Sequence, residues 1–280
     1  MNYQRRKTLR IDILKAAEPV VGEHSRKDAL LSVSHLRKEF GGLVAVNGLS
    51  FAVWPGEILA IIGPNGAGKT TLFNLITGVH PLSGGEAHFM QRRLNGLKPH
   101  VIARLGLART FQNVHLFDNM TVLENTMVGR HLRSRYGFWE AAVQVPWAKR
   151  EERETRERAM EYLDLVGLAA HATDLASNLP FGKQRLLELA RALASEPACL
   201  LLDEPGAGLS RGEVIDVDNL IRRVRDERGI TVLLVEHNMD LVMGIADRVI
   251  VLNYGEKIAE GTPAQVQGDE RVIAAYLGDD

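Results

Sequence analysis

A glycine-rich segment in the first third of the chain has the residue types and the spacing that bind phosphate. It fits the pattern G-x-x-x-x-G-K-[ST] and consists of Gly63, Pro64, Asn65, Gly66, Ala67, Gly68, Lys69 and Thr70. Gly66 and Gly68 let the backbone curl until successive N–H groups face phosphate oxygens, and a following helix adds the positive end of its dipole. Lys69 is expected to reach the β- and γ-phosphates. The hydroxyl of Thr70, supported by Thr71, is expected to ligate Mg²⁺.

Two adjacent acidic residues end an apolar run later in the chain. Residues 199–202 are apolar, and Asp203 and Glu204 follow them directly. A buried strand that ends this way places its acids at the carboxyl edge of a sheet, where ligands bind in open α/β folds. We expect Asp203 to hold Mg²⁺ through water and Glu204 to act as the general base. A solvated strand end is the better explanation of the acids alone, but the phosphate loop favours catalysis. Cys199 is expected to pack in the core.

The elements around these residues predict an α/β fold with a parallel sheet. Alternation predicts a strand over residues 30–36, and two strand-like runs over 51–62 flank a turn at Pro55-Gly56. A helix is expected from Thr70, and another from Gln184 leads into the strand at Cys199. A helix over 212–228, a strand over 230–236 and a hairpin over 248–259 complete the pattern. Strand, helix and strand at this spacing indicate parallel strands with crossover helices.

Two regions differ from this pattern. Residues 113–179 are mostly helical and charged, and the opposite charges over 149–158 recur at the spacing of a solvated helix face. Apolar residues at 159–168 then indicate an apolar helix face that packs against other elements. The block is therefore interpreted as a helical subdomain set into the α/β core. Residues 1–29 lack clear periodicity and are interpreted as a loosely ordered extension.

Composition excludes several classes of protein. The chain has 280 residues, 45% of them hydrophobic and 25% charged, which fits one globular domain with a subdomain. The net charge of -1 gives no overall basic field for nucleic acid, and the single cysteine excludes an internal disulfide framework. Because no apolar run approaches the roughly 20 residues of a spanning helix, any membrane role is expected to come through a partner.

The motifs together resemble the nucleotide-binding subunits of ATP-binding cassette (ABC) transporters over residues 30–280. Besides the phosphate loop and the acidic strand end, Gln112 matches the Q-loop of that family and His237 matches its switch histidine. Residues 179–184 stand where the family signature belongs. The resemblance implies a P-loop NTPase core (an ABC ATPase) with an antiparallel β part and a helical subdomain at about 113–183. It also implies ATP and Mg²⁺ as ligands.

The same resemblance implies roles for further residues. Gln112 is expected to ligate Mg²⁺ or the lytic water and to link nucleotide state to a partner, and His237 to hydrogen-bond the γ-phosphate. Phe40 is expected to stack on adenine, with core packing at a strand end as the alternative. Gly182 is expected to bind the γ-phosphate of the ATP held by an opposite subunit.

The signature differs from the common form L-S-G-G-Q of the family. Pro180 replaces the serine, Phe181 the first glycine and Lys183 the glutamine, whereas Gly182 is kept. The loss of the serine hydroxyl removes one donor, and Lys183 adds a positive charge. Ser210 stands where the family often has aspartate. These changes affect how the chain completes a partner's site and leave its own phosphate loop untouched.

Finer similarity points to the importers of branched-chain amino acids, and to the larger of their two ATPases. It lies in residues 109–113, 120–125 and 258–278 and in the aromatic-Gly-x-Gln-Arg form of the signature. The resemblance implies a second ATP-binding subunit, transmembrane permease subunits, an indirect link to a periplasmic substrate-binding protein, no nucleic acid, and a place on the cytoplasmic face of the inner membrane. Urea or amide importers and lipopolysaccharide exporters are the alternatives. A soluble ABC protein acting on nucleic acid or a catalytically inactive regulatory subunit fits less well.

Overall fold

The computed structural model describes residues 28–133, 146–237 and 239–277; for residues 132, 146–149, 240 and 277 it describes the backbone only. The extension predicted over residues 1–29 lies outside the described residues except for its last two. Of the helical subdomain predicted at about 113–183, residues 134–145 also lie outside them.

Ten strands and nine α-helices are described in these ranges. The strands are β1 (Leu31–Phe40), β2 (Leu43–Val53), β3 (Ile58–Ile62), β4 (Gly84–Phe89), β5 (Arg92–Arg93), β6 (Leu107–Arg109), β7 (Cys199–Asp203), β8 (Thr231–Val235), β9 (Arg248–Asn253) and β10 (Glu256–Gly261). The helices are α1 (Lys69–Ile76), α2 (Pro99–Leu105), α3 (Val122–Gly129), α4 (Pro146–Leu165), α5 (Phe181–Ala194), α6 (Arg211–Arg228), α7 (Met239–Ile245), α8 (Pro263–Gln267) and α9 (Glu270–Leu277).

The described residues form two compact units, and the first contains residues 28–102 and 221–277. An antiparallel sheet of order β2-β1-β4-β5 makes one part of it. In the other part, β3 pairs in parallel with both β8 and β9, and β10 pairs antiparallel with β9. Every residue of β3 and β8 is buried, which explains their uninterrupted apolar sequences. The predicted antiparallel part, the strands beside Pro55-Gly56 and the hairpin near residue 254 are confirmed.

The second unit contains residues 103–220. In it β6 pairs in parallel with β7, and α3, α4 and α5 pack on one another through apolar faces. Leu123, Leu163 and Leu187 are among the buried residues of these faces. The predicted solvated face of α4 is confirmed, because Arg150–Glu154 and Arg158–Glu161 form exposed ion pairs at helical spacing. Cys199 is fully buried, as expected.

The prediction of a mostly helical block is wrong for residues 113–121, which form no helix. Asn125, a fully buried residue of α3, holds this segment in another conformation. Its Oδ1 accepts from Phe117 N at 2.9 Å, and its Nδ2 donates to Phe117 O, Met120 O and Thr121 O at 3.0–3.3 Å. One amide therefore satisfies backbone groups that a helix would otherwise pair. Helix α3 begins only after Thr121, whose side chain forms a capping box with Glu124.

No helix built from the described residues has the length and apolar character needed to cross a membrane.

Candidate active site

The loop between β3 and α1 has a backbone that requires glycine. Gly63, Gly66 and Gly68 have φ angles of 150°, 81° and 98°. A Cβ at Gly63 would lie 2.1 Å from Leu252 O, and one at Gly68 would lie 2.5 Å from Ala45 O. A Cβ at Gly66, by contrast, would have no heavy atom within 4 Å apart from those of its chain neighbours, so this side of the loop has room for a ligand. The geometry fits the predicted curl of the loop.

Lys69 lies back across this loop as the first residue of α1. Its Nζ donates to Gly63 O at 2.6 Å and to Pro64 O at 2.9 Å, and the residue is buried. Among the other loop residues, Asn65 and Thr70 are exposed, Ala67 is buried and Thr71 is half-buried. The Lys69 ammonium is thus placed over the loop that the sequence assigns to phosphate, and Thr70 is exposed at the start of the helix.

His237 leaves the same sheet edge as the loop. Ile61 in β3 is in register with Val235 in β8, so the segments that follow the two parallel strands leave the sheet at the same level. The His237 side chain is exposed, and its backbone N–H donates to Oε2 of the fully buried Glu236 at 2.9 Å. A buried carboxylate thereby fixes the backbone from which the predicted switch histidine projects.

Phe40 ends β1 and is 41% exposed, which rules out the alternative of core packing. Its ring meets His80 edge to face at a centroid distance of 5.4 Å. The Nζ atom of the buried Lys38 lies 4.7 Å from the ring centroid and donates to Pro81 O. An exposed aromatic ring held in this way can offer its face for stacking on a base.

The second unit contains the other predicted catalytic residues. Arg109 in β6 is in register with Leu201 in β7, and Thr110 N donates to Leu201 O at 3.0 Å. The segments after both strands therefore emerge side by side, which brings Gln112 to Glu204. Gln112 Nε2 donates to Glu204 Oε2 at 3.0 Å.

Glu204 has a φ of 50°, which is a strained backbone conformation for a residue with a side chain. Strain of this kind costs on the order of 1–3 kcal/mol and often occurs at functional sites. The residue before it, Asp203, is almost fully buried, and its Oδ2 accepts from Arg109 Nη2 at 2.8 Å. The strand end thus holds one acid by an ion pair and turns the other toward the Gln112 amide.

Gly182 is the second residue of α5 and packs directly on a carboxylate. A Cβ at this position would lie 2.1 Å from Glu213 Oε1. The other oxygen of Glu213 accepts from Ser210 N at 2.8 Å and Ser210 Oγ at 2.7 Å, which caps α6. Ser210 therefore acts as a helix cap. A side chain at 182 would therefore require the Glu213 carboxylate to move away from this cap.

Lys183 is engaged within its own unit. Its Nζ lies 2.7 Å from His171 Nε2, and His171 Nδ1 lies 2.7 Å from Asp174 Oδ2. A lysine that donates to Nε2 requires the tautomer whose Nδ1–H donates to the aspartate. The positive charge that distinguishes this signature is therefore held by hydrogen bonds that run from Lys183 through His171 to Asp174, in the segment before α5.

The residues present fit ATP and Mg²⁺ by their chemistry. Around Gly66 the open backbone and the nearby lysine provide N–H donors and positive charge for phosphate, and α1 adds its dipole. The Thr70 hydroxyl and the Asp203 carboxylate are oxygen ligands of the type that Mg²⁺ prefers.

Sequence reasoning missed three charged residues of the second unit: Arg109, Arg185 and Glu188. Arg109 pairs with Asp203, while Arg185 and Glu188 hydrogen-bond the backbone of residues 111 and 112. A signal was present in the sequence, since Arg109 ends an apolar strand and Glu188 lies within the apolar run of α5. Charged residues in such places are almost never fully buried unless they are paired.

Comparison with known proteins agrees with this geometry. The family described as "ABC transporter" matches residues 46–207, and "Branched-chain amino acid ATP-binding cassette transporter" matches residues 256–280. The high-affinity branched-chain amino acid transport ATP-binding protein LivG of Escherichia coli (strain K12) is 46% identical over 250 residues, which cover 89% of this chain and 98% of LivG.

Solved structures share the fold. A nucleotide-free ATP-binding cassette from an ABC transporter is 31% identical with a TM-score of 0.77, and the match covers 90% of this chain and all of that one. A dimeric cassette in a post-hydrolysis state, bound to ADP and Pi, is 25% identical with a TM-score of 0.71 over 83% of this chain and 98% of the other. The predicted fold is confirmed, and the chain belongs to the ABC transporter family as a subunit that binds and hydrolyses ATP.

Proposed function

We propose that this chain powers the import of branched-chain amino acids. The observation that carries the proposal is its identity with LivG along nearly the whole of that protein, together with the family match in its last 25 residues. An ATPase of an ABC transporter acts with membrane permease subunits and within a dimer of cassettes. The partners proposed here are a second, different ATP-binding subunit and permeases that receive substrate from a periplasmic binding protein. The chain then lies at the cytoplasmic face of the inner membrane.

The proposed mechanism assigns hydrolysis to Glu204. Its carboxylate takes the proton of the attacking water, and the hydrogen bond from Gln112 Nε2 orients that carboxylate. The strained backbone at Glu204 sets the direction of its Cα–Cβ bond and hence of the side chain. Orientation of this kind lowers the barrier because the base does not have to be positioned during the reaction.

Other residues bind and orient the nucleotide. Lys69 and the backbone N–H groups of the loop 63–69, Pro64 excepted, bind the phosphates. His237 hydrogen-bonds the γ-phosphate, and Phe40 stacks on adenine. Thr70, Asp203 and Gln112 would hold Mg²⁺. When bound, the ion neutralises charge on the phosphate oxygens. Gly182 lies at the amino end of α5, where N–H groups can meet the γ-phosphate of a partner's ATP.

Transport in proteoliposomes tests the substrate. Vesicles that contain this chain, its partner ATPase and the permeases, with ATP inside and the binding protein outside, are expected to accumulate labelled leucine, isoleucine or valine. The Lys69→Ala variant should abolish accumulation because the phosphates lose their cation. Urea provides the matched control, and ATP-driven uptake of urea without uptake of the three amino acids would overturn the assignment.

A further inference from the structure

Arg185 holds the peptide between Phe111 and Gln112 from one side. It lies three residues after Gly182, in the first turns of α5, and its side chain is 7% exposed. Nη1 donates to Phe111 O at 2.9 Å, and Nη2 donates to Gln112 O. A guanidinium presents these donors in a rigid planar fork, so two contacts to successive carbonyls fix both the position and the direction of the backbone.

Glu188 binds the same segment as a hydrogen-bond acceptor, whereas Arg185 binds it as a donor. One turn further along α5, its Oε1 accepts from Phe111 N at 3.3 Å, and its Oε2 lies 3.5 Å from Arg185 Nη1. The side chain is 3% exposed. Burial raises the pKa of the Glu188 carboxyl, while the Phe111 N–H and the charges of Arg185 and Arg191 act in the other direction. The acid is therefore retained in the core at a cost that its hydrogen bond to the backbone offsets.

The two side chains together bind three of the four backbone N–H and carbonyl groups of residues 111 and 112, namely the N–H and carbonyl of Phe111 and the carbonyl of Gln112. The Phe111 ring itself is exposed, so apolar burial of that ring does not anchor the segment. From this fixed backbone the Gln112 side chain reaches Glu204 at 3.0 Å. Displacement of reacting groups by about 1 Å can reduce a rate on the order of a hundredfold.

We propose that Arg185 and Glu188 are positioning residues for ATP hydrolysis, which act by fixing the backbone from which Gln112 orients Glu204. The proposal rests on the roles proposed above for Gln112 and Glu204. It also means that the helix that begins at the signature is bound by charged side chains to the segment that carries Gln112.

Steady-state ATPase kinetics of the reconstituted transporter test the proposal. In the double variant Arg185→Met/Glu188→Leu the two charges of this buried pair are removed together, so neither is left without the other. We expect kcat to fall by about tenfold or more, with KM for MgATP within about twofold of wild type. Glu188→Gln keeps an oxygen that accepts from Phe111 N and should recover most of the kcat lost in Glu188→Leu.

A double-mutant comparison separates positioning from general damage. If Arg185 and Glu188 act through Gln112, the double variant should change kcat by less than about twofold in a Gln112→Ala background. Hydrogen exchange of residues 109–113 should be faster in the double variant and unchanged in the control Arg130→Met. That control removes a half-buried arginine that pairs with Glu196 and contacts the end of α5 instead.

The outcomes are distinguishable. A wild-type kcat in the double variant overturns the positioning role. So does an equal fall of kcat in the wild-type and the Gln112→Ala backgrounds. Both conclusions hold even if Gln112→Ala and Glu204→Gln themselves hydrolyse ATP slowly. Wild-type rates in those last two variants overturn the proposed function, and the positioning role with it. If the double variant does not fold, Arg185→Lys serves, since one ammonium cannot reproduce the fork on two carbonyls; normal kinetics and normal exchange there contradict the proposal.

Discussion

Arg109 and Asp203 form an ion pair across the parallel strands β6 and β7. Arg109 Nη2 and Asp203 Oδ2 are 2.8 Å apart, and the two side chains are 6% and 3% exposed. The acid assigned to Mg²⁺ is therefore already held by a cation from the strand that leads to Gln112. In a buried pair, removal of one partner leaves the other charge without compensation, and this decides the sign of the mutational effect.

The variant Arg109→Met should destabilise the protein by about 3–5 kcal/mol, because Asp203 stays buried without its cation. Urea unfolding of the purified chain measures the effect. Arg150→Met is the matched control: the Arg150–Glu154 pair is exposed and should contribute less than about 1 kcal/mol. Equal stability losses in both variants would show that burial of the Arg109 pair has no special effect.

The variant Glu204→Gln should bind ATP and turn it over more slowly by a factor on the order of 10² or more. The amide oxygen can still accept from Gln112 Nε2, so the geometry is kept while the base is lost. ATPase rates of the reconstituted complex and nucleotide photolabelling check the two parts. Lys69→Ala should instead lose labelling, and a near-normal turnover in Glu204→Gln contradicts its role as the base.

The variant Gly182→Ala should lower the melting temperature, because the new Cβ takes the place of Glu213 Oε1. Displacing this carboxylate removes the cap that it forms with Ser210. The loss should be smaller in a Glu213→Ala background. Gly212→Ala is the control, since nothing lies within 4 Å of its Cβ and the change should leave stability equal or slightly higher. Similar losses at 182 and 212 would argue against the clash.

Stability near the carboxyl end should depend on pH through Asp269. Hydrogen bonds from the Arg271 side chain and backbone lower the pKa of Asp269 from 3.8 to about 2. Because the folded pKa lies below the unfolded one, the stabilisation is complete above about pH 4 and is lost as the pH falls toward 2. A carboxyl chemical-shift titration should show the low midpoint, and Arg271→Ala should raise it. A wild-type midpoint near 3.8 would be evidence against these hydrogen bonds.

Local patterns predicted much of the fold and of the nucleotide site. The glycines at 63, 66 and 68, the lysine that follows them and the acids at 203 and 204 are all contiguous motifs, so their chemistry can be interpreted without knowing any distant contact. The buried strands β3, β7 and β8 were recognisable because strands covered on both faces are apolar throughout.

The loop before α3 was not recognisable in this way. Its conformation depends on the side chain of Asn125, which bonds backbone groups up to eight residues away, and helical composition alone does not show this. Phe40 likewise had two interpretations, and only its exposure in the folded chain argues against core packing. Its stacking on adenine stays a prediction.

The sequence by itself determined the predictions of which residues bind phosphate, hold Mg²⁺ and supply a base, because these properties belong to residue types and short spacings. Only the tertiary structure decided what positions them. Arg109 reaches Asp203 over 94 positions and Arg185 reaches Phe111 over 74, and both depend on strand register and burial. A long-range ion pair gains its strength from the low-polarity interior that the whole fold creates, so no local pattern can specify it.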